Sequence, residues 1–486
     1  MTEPLTPPGA AGFAARTRLP LLALPWLLAA CSQLPDYQRP AVAVPAHWPG
    51  RSGLDVDAAE PLRTGDWADY FNDARLKPLI EQALANNRDL RATALRVEQA
   101  RAQFQISRAS QWPALNAVAG GSRGPVATAA GTVQASTYSV GLTVTAFELD
   151  FFGRVASLKE QALAQYLGSA QAYDSARLSL ITSVATGWLT LLADEAQLAL
   201  LRETLLNLDA TLQLTRRTVA QGTLPQQNLL QAESQAQAAR SALAQGELQR
   251  QRDENALQLL LGLPDSVPLH DSADASTLDV APWADLAPGL PSELLLRRPD
   301  IAQAEQALIA ANANVGVARA ALFPRISLTA GVSSLSPQLS GLFKSGSQGF
   351  TLAPQATLPL LDAGQSQAQV KAAKLGRDIA TAQYEKAIQT AFREVADALA
   401  EREAAVQQLD ASERQATAGQ AQLRLAQRSL EMGVSSRLDW LASERNWLAL
   451  KQQRVQAQLN RLQSQVSVYQ VLGGHWRAGR DTSDPA

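Results

Sequence analysis

Apolar residues recur every three or four positions along two very long stretches, 154–221 and 365–432. In the first, Leu178, Ile181, Val184, Trp188 and Leu192 trace one face. Both stretches are rich in Ala, Leu, Gln, Arg and Glu, which are strong helix formers. The pattern predicts one helix for each, with a length of about 100 Å at 1.5 Å per residue. Shorter helices are predicted over 75–111 and 299–323, and over 225–261 and 436–472. Pro299 sits at a first helical position, where its missing donor costs nothing, and Gly262 and Gly473 stand where C-caps belong. Between the first helix and the long helix of each set the period drops to two. Tyr138, Val140, Leu142, Val144 and Ala146 alternate with polar or small residues. So do Ile326, Leu328, Ala330 and Val332, and then Phe350, Leu352, Pro354, Ala356 and Leu358. These segments, 137–146, 326–333 and 350–358, read as strands, with a fourth, weaker one at 114–122.

The two sets are copies of one unit. Asp89 and Asp300, Pro113 and Pro324, Gly153 and Gly364, Tyr173 and Tyr384, Gly222 and Gly433, Glu233 and Glu444, and Gly262 and Gly473 are all separated by 211 residues. Chance does not supply helix breakers at every element boundary. The expected organisation is an N-terminal signal (1–30), a segment 31–74, a first repeat over 75–262, a linker over 263–297 rich in Pro, Asp and Ala, a second repeat over 298–473 and a tail over 474–486. Within each repeat the two shorter helices are expected end to end beside the long one, as antiparallel coiled-coil pairs.

The strands are about as long as tilted transmembrane β-strands. Their polar faces carry hydroxyls and amides rather than salt-bridging charges, which suits a wet lumen backed by lipid. Trp112 and Phe323 hold equivalent places just before the first strand of each repeat, and Phe147, Phe151 and Phe152 follow the second, where interfacial aromatics belong. Four strands cannot close a barrel, and an open edge cannot face lipid. Several copies of the chain are therefore expected to share one barrel, and the pattern alone leaves two, three or four copies open.

Composition removes other classes. The 486 residues carry 43 Lys and Arg against 45 Asp and Glu, so no basic excess favours nucleic acid. One cysteine excludes an intrachain disulfide, and His47, His270 and His475 lie too far apart in sequence for a metal motif. No Gly-x-Ser-x-Gly context or P-loop is present, so neither an enzyme nor a cofactor is expected. The single cysteine has another meaning. Arg16 and Arg18 precede a short apolar run that ends Leu28-Ala29-Ala30-Cys31, which resembles a bacterial lipobox with Cys31 as the acylated mature N-terminus. In that class Ser32, being other than Asp, permits delivery to the outer membrane.

Longer stretches carry a family resemblance. Residues 31–40 read Cys-Ser-Gln-Leu-Pro-Asp-Tyr-Gln-Arg-Pro, and Trp67, Phe71, Asp73, Leu76, Asn87, Asp89 and Leu90 follow. The most specific signature runs from Leu294-Leu295-Leu296-Arg297-Arg298-Pro299-Asp300-Ile301 to Ala321-Leu322-Phe323-Pro324-Arg325-Ile326. Pro359-Leu360-Leu361-Asp362-Ala363-Gly364 and Leu472-Gly473-Gly474-His475-Trp476 add to it. The sequence resembles the outer-membrane factor, or TolC-like, channels, specifically their lipoprotein branch. The resemblance implies a mixed fold of all-α coiled coil and transmembrane β-barrel, internally duplicated, closing as a homotrimer of twelve strands. It implies a passive gated exit that works with a periplasmic adaptor and a proton-driven inner-membrane pump. The chain would lie in the outer membrane, with its helical part in the periplasm.

The resemblance places adaptor docking at the hairpin tips, Gly222, Thr223 and Leu224, and Gly433, Val434, Ser435 and Arg437. Gly153 and Gly364 mark strand-to-helix turns. Family members close the periplasmic aperture with polar or acidic rings. Here Gln420 stands where an Asp is common in this branch, and Asp410 and Glu413 are alternatives. A periplasmic adaptor lipoprotein would show one hairpin between β halves and no duplication. A plain coiled-coil lipoprotein would lack the strands.

Overall fold

The computed structural model describes residues 33–41, 67–129, 131–263, 278, 280, 283 and 298–474. The signal segment, Cys31, most of the linker and all three histidines lie outside the described residues. The described chain divides into a sheet unit, which holds residues 33–37, 106–161 and 312–375, and a helical unit, which holds the rest.

In the sheet unit, β1 (Leu115–Thr128), β2 (Gly131–Glu148), β3 (Arg325–Ser336) and β4 (Gln348–Thr357) form one antiparallel sheet in the order β1-β2-β3-β4. The β1–β2 ladder is unbroken from Leu115 opposite Val144 to Thr128 opposite Gly131. Both hairpin strands run past the expected ends, because the pairing continues through Gly120, Gly121 and Gly124, which diluted the alternation. Gly141 belongs to the β2–β3 crossing by necessity. A Cβ there would lie 2.7 Å from the Ser333 Cα.

The regular alternation expected through Ala146 does not hold. Between Val144 and Phe147 the β2–β3 register slips by one residue. Ala146 takes φ 49°, and its N–H donates to Thr329 Oγ1 at 3.0 Å. This is a β-bulge, which turns the end of β2 and resets which face Phe147 occupies.

The helices are α1 (Trp67–Tyr70), α2 (Leu76–Asn86), α3 (Arg88–Ala109), α4 (Arg154–Ala220), α5 (Gln226–Leu261), α6 (Pro299–Ala320), α7 (Gln365–Glu431) and α8 (Arg437–Val471). Adding 211 to the bounds of α3 gives those of α6, and adding it to α4 gives α7. The single helix expected over 75–111 is broken at Asn87, whose backbone leaves the helical region at φ −59°, ψ 126°. Its side chain supplies the reason. Asn87 Oδ1 accepts from the Leu90 N–H at 2.9 Å and so caps α3.

The helical unit packs around α4. Val184, Trp188, Leu189, Leu191 and Leu192 are almost wholly buried, against Tyr70, Phe71, Leu76, Ile80, Leu257 and Leu261. Tyr70 stacks on Tyr469 with ring centroids 4.7 Å apart, and its hydroxyl donates to the Gln465 carbonyl at 2.9 Å. Among the described residues α4 is the one helix long and apolar enough to cross a membrane, with a window of mean hydropathy 1.3 that is 56% buried. The core packing of Val184 to Leu192 accounts for that apolar run.

Candidate functional site

Each long helix ends in the same backbone device. At the first tip Gly222 takes φ 73°, its N–H donates to the Val219 carbonyl at 2.9 Å, and the Thr223 N–H donates to the Thr218 carbonyl at 3.1 Å. At the second, Gly433 also takes φ 73°, with Gly433 N–H to Leu430 at 3.0 Å and Val434 N–H to Ser429 at 2.9 Å. Both are Schellman turns, which need a left-handed residue at this position. No atom lies within 4 Å of the place a Cβ would take at either glycine, so backbone conformation rather than crowding selects glycine.

The tips differ in side-chain chemistry. At the second, Ser436 forms a capping box with Asp439, whose N–H donates to Ser436 Oγ at 3.2 Å, while Asp439 Oδ2 accepts from the Ser436 N–H at 3.0 Å. The Ser436 hydroxyl, which donates to Asp439 Oδ2 at 2.7 Å, and then the Ser436 N–H hold the exposed Asp439 carboxyl below its ordinary value. Pro225 stands at the equivalent place in the first tip and offers no side-chain cap. Val434 is 78% exposed, while Leu224 is half-buried. The Arg437 guanidinium lies 4.1 Å from the Trp440 ring centroid. With Arg217, Asp209, Gln213, Leu214 and Leu441, Arg437 lines a groove of about 360 Å³ between α4 and α8.

The strand-to-helix turns also repeat. Gly153 and Gly364 take φ 74° and 86°, and their carbonyls accept the first helical bonds of α4 and α7 from Ser157 and Ala368. Asp150 accepts from the Ala156 N–H at 2.8 Å, and Asp362 accepts from the Ser366 N–H at 2.9 Å. Of the aromatics expected at an interface, Trp112 is 74% exposed, Phe147 is half-buried and Phe323 stacks on Phe152 at 4.8 Å.

A family model described as outer membrane efflux protein matches the chain twice, over 79–263 and 290–474, one match for each repeat. The chain belongs to this outer membrane efflux protein family. A toluene efflux pump outer membrane protein, TtgC of Pseudomonas putida, is 41% identical over 403 residues, covering 81% of this chain and 82% of the relative. OprJ of Pseudomonas aeruginosa is 42% identical over 380 residues, covering 77% and 78%. Among solved structures, the open-state MtrE outer membrane channel of Neisseria gonorrhoeae matches with TM-score 0.79 at 36% identity, over 92% of this chain and 98% of that one. CusC matches with TM-score 0.77 at 35% identity, over 91% and 100%. The TolC-like fold expected from the sequence is the observed one.

In this efflux protein Asp410, Glu413 and Gln420 are all exposed on α7. At 3.6 residues per turn they fall within about 80° of one another, on one helix face. Asp410 pairs with Arg414 at 3.0 Å, and the Glu413 carbonyl accepts from Thr417 Oγ1 at 2.8 Å.

Sequence reasoning missed three clusters. Buried Asn207 on α4 donates to the Leu441 carbonyl at 3.0 Å and to Glu444 at 2.7 Å, which ties α4 to α8. At the base of the sheet, Glu148 accepts from Arg154 at 2.6 Å and from Arg325 at 2.7 Å, so one carboxylate joins β2, α4 and β3. Asp194 on α4 meets Asp253 on α5. Burial first, and then the Asp253 carboxyl, push Asp194 up to about 7. Apart from Arg154, six residues from Glu148, these partners are distant in sequence, so no local motif announces the clusters.

Proposed function

We propose that this protein is the outer-membrane channel of a tripartite efflux or export system of the resistance-nodulation-division type. It would give substrates delivered by a proton-driven inner-membrane pump a passive gated exit. The observation that carries this reading is a four-stranded sheet whose outer strands, β1 and β4, each have one side unpaired among the described residues, in a duplicated chain that also bears two long helical hairpins. A sheet in lipid must have no open edge. Three chains give twelve strands, enough to close a barrel. The family match and the efflux-pump names of the relatives support the same reading.

A channel binds and releases without a reaction, so no catalytic residue is assigned. Residues 1–30 act as a signal that is removed, and Cys31 carries the acyl chains that tie the mature protein to the outer membrane. The tips dock a periplasmic adaptor through Gly222, Thr223, Leu224, Gly433, Val434, Ser435 and Arg437. The α7 face of Asp410, Glu413 and Gln420 lines the periplasmic aperture. The Schellman turns support docking, because they present exposed residues on a rigid backbone.

The test is migration on denaturing gels of protein extracted from outer membranes. A trimer that converts to monomer on heating is expected, and a monomer in the soluble periplasm overturns the reading. For the tips, Gly433→Trp is expected to abolish adaptor cross-linking and export, and normal export would remove the docking role. For the aperture, Asp410→Ala and Gln420→Ala are expected to change conductance in planar bilayers, and unchanged conductance would remove these residues.

A further inference from the structure

The segment preceding Tyr37 is held along the end of α6 within the sheet unit. Asn312 Nδ2 donates to the Pro35 carbonyl at 2.8 Å. Leu34 crosses Gly316 so closely that a Cβ on that glycine would lie 3.1 Å from the Leu34 Cα and 2.6 Å from Ser157 Oγ. The Gln33 N–H donates to the Phe152 carbonyl at 3.3 Å. As residue numbers fall from Pro35 to Gln33, the strap climbs from Asn312 past Gly316, toward the end of α6 at Ala320 and the Phe323 beyond it.

Two lengths can be compared. The rise from Gly316 to Phe323 is about 10 Å at helical pitch. The three residues from Leu34 to Cys31 reach about 10 Å when extended. The strap is therefore long enough to bring Cys31 level with Phe323, and from Gln33, held at Phe152, only two residues, about 7 Å of extended chain, remain to Cys31. At that level Phe152 and Phe323 stack, 4.8 Å apart and inclined by 16°, with Leu322 43% and Phe323 37% exposed. The aromatic pair stands at the turn the strap reaches. At the equivalent turn of the second repeat, 211 residues on, the place of Phe152 is taken by Ala363.

We propose that the Phe152–Phe323 stack, flanked by Leu322, is the seat of an acyl chain carried by Cys31, with residues 33–35 as a fixed leash that sets the depth of the anchor. Flat aromatic faces beside an exposed leucine offer apolar area to a hydrocarbon chain, and covering them removes that area from water. The leash enters the seat from a backbone hydrogen bond to one of its own two aromatics, so seat and anchor move together. This inference rests on acylation of Cys31, proposed above.

The full chain, produced in a Gram-negative host that processes lipoproteins and purified as the detergent-solubilised outer-membrane protein, carries a photoreactive benzoyl-phenylalanine at Phe323. A second variant carries it at Leu322, so that a packing defect at one position does not decide the outcome. A control carries it at Phe343, which is 86% exposed in the β3–β4 connection. After irradiation and digestion, mass spectrometry is expected to find the acylated N-terminal peptide joined through its lipid to the peptide holding residue 322 or 323, and unjoined in the Phe343 control. Cross-links from 322 and 323 to phospholipid alone, with the acylated N-terminal peptide free, overturn the seat and leave the anchor intact. An N-terminal peptide whose mass lacks acyl chains overturns both.

Discussion

Asn87 and Arg298 occupy the same place in the two repeats, and each donates a hydrogen bond to the carbonyl 173 residues ahead of it. Asn87 Nδ2 reaches Leu260 at 2.9 Å, and Arg298 Nη1 reaches Val471 at 2.9 Å. Each side chain stands before its helix, α3 or α6, and ties that start to the end of the last helix of its own repeat. The duplication therefore preserves a contact while changing the side chain that makes it.

The two ties differ in expected strength. Asn87→Ala removes the α3 cap and leaves the Leu260 carbonyl without its partner, at an expected cost of about 1–3 kcal/mol. Arg298 also pairs with Asp300 at 2.8 Å and Glu394 at 2.7 Å, with its side chain 9% exposed. Burial opposes its charge, but the hydrogen bonds it donates to Asp300 and Glu394 more than offset this and raise its pKa. Arg298→Met removes charge-assisted hydrogen bonds to two partly exposed carboxylates as well as the bond to Val471, at an expected cost of about 3 kcal/mol. Denaturant unfolding of the two variants beside the parent protein checks both the direction and the order.

The pH dependence has a definite sign. The folded pKa of Asp194, about 7, lies above the ordinary carboxylate value of about 3.9. The stability contributed by its proton is complete below that lower value and is lost as the pH rises through about 7. Asp73 behaves oppositely. Burial raises its pKa, but hydrogen bonds from Arg75 lower it further, so its contribution is lost only on strong acidification. Thermal unfolding from pH 5 to 8.5 is expected to fall with pH in the parent and to flatten in Asp194→Asn, with Arg250, Glu195 and Asp253 the neighbouring charges. An unchanged slope in Asp194→Asn would refute the assignment.

Ala146 and Ala363 hold φ 49° and 52°, where a Cβ is strained. Ala146→Gly and Ala363→Gly are each expected to stabilise the fold by about 1 kcal/mol. The readout is a higher temperature for loss of the native gel band, while Ala146→Val should lower it.

The repeat also predicts an intersubunit register for the proposed trimer. Val144 pairs with Leu115 and faces Ala330 across β2 and β3. Ile326, 211 residues after Leu115, pairs with Ala356, so Ala356 of β4 holds the place of Val144 and is expected opposite Ala119 of the partner subunit, 211 residues before Ala330. The double variant Ala356→Cys, Ala119→Cys is expected to form oxidation-dependent covalent dimers and trimers. Ala356→Cys with Gly120→Cys should not, because a one-residue slip points the second thiol to the other face.

The elements legible in the sequence were those set by local chemistry. Gly222 and Gly433 mark turns because left-handed φ selects glycine, and the long apolar period marks α4 and α7. What could not be read depends on distant partners. The Asn87 side chain caps α3 at Leu90 but also needs the Leu260 carbonyl for its amide, the bulge at Ala146 needs Thr329, and the Asp194 shift needs Asp253 on another helix. The tip backbones were legible as paired turns, but not the capping box at Ser436 or the Arg437–Trp440 stack, which only the second repeat possesses.

That last difference has a consequence for anything that grips the protein from below. A ring of three chains would present six tips with one backbone geometry, alternating between a proline-led tip and a capped, arginine-bearing one. Its rim would be sixfold in outline and threefold in chemistry. A partner built as six identical subunits would meet two kinds of site in turn, and three of its subunits would hold on by different contacts from the other three.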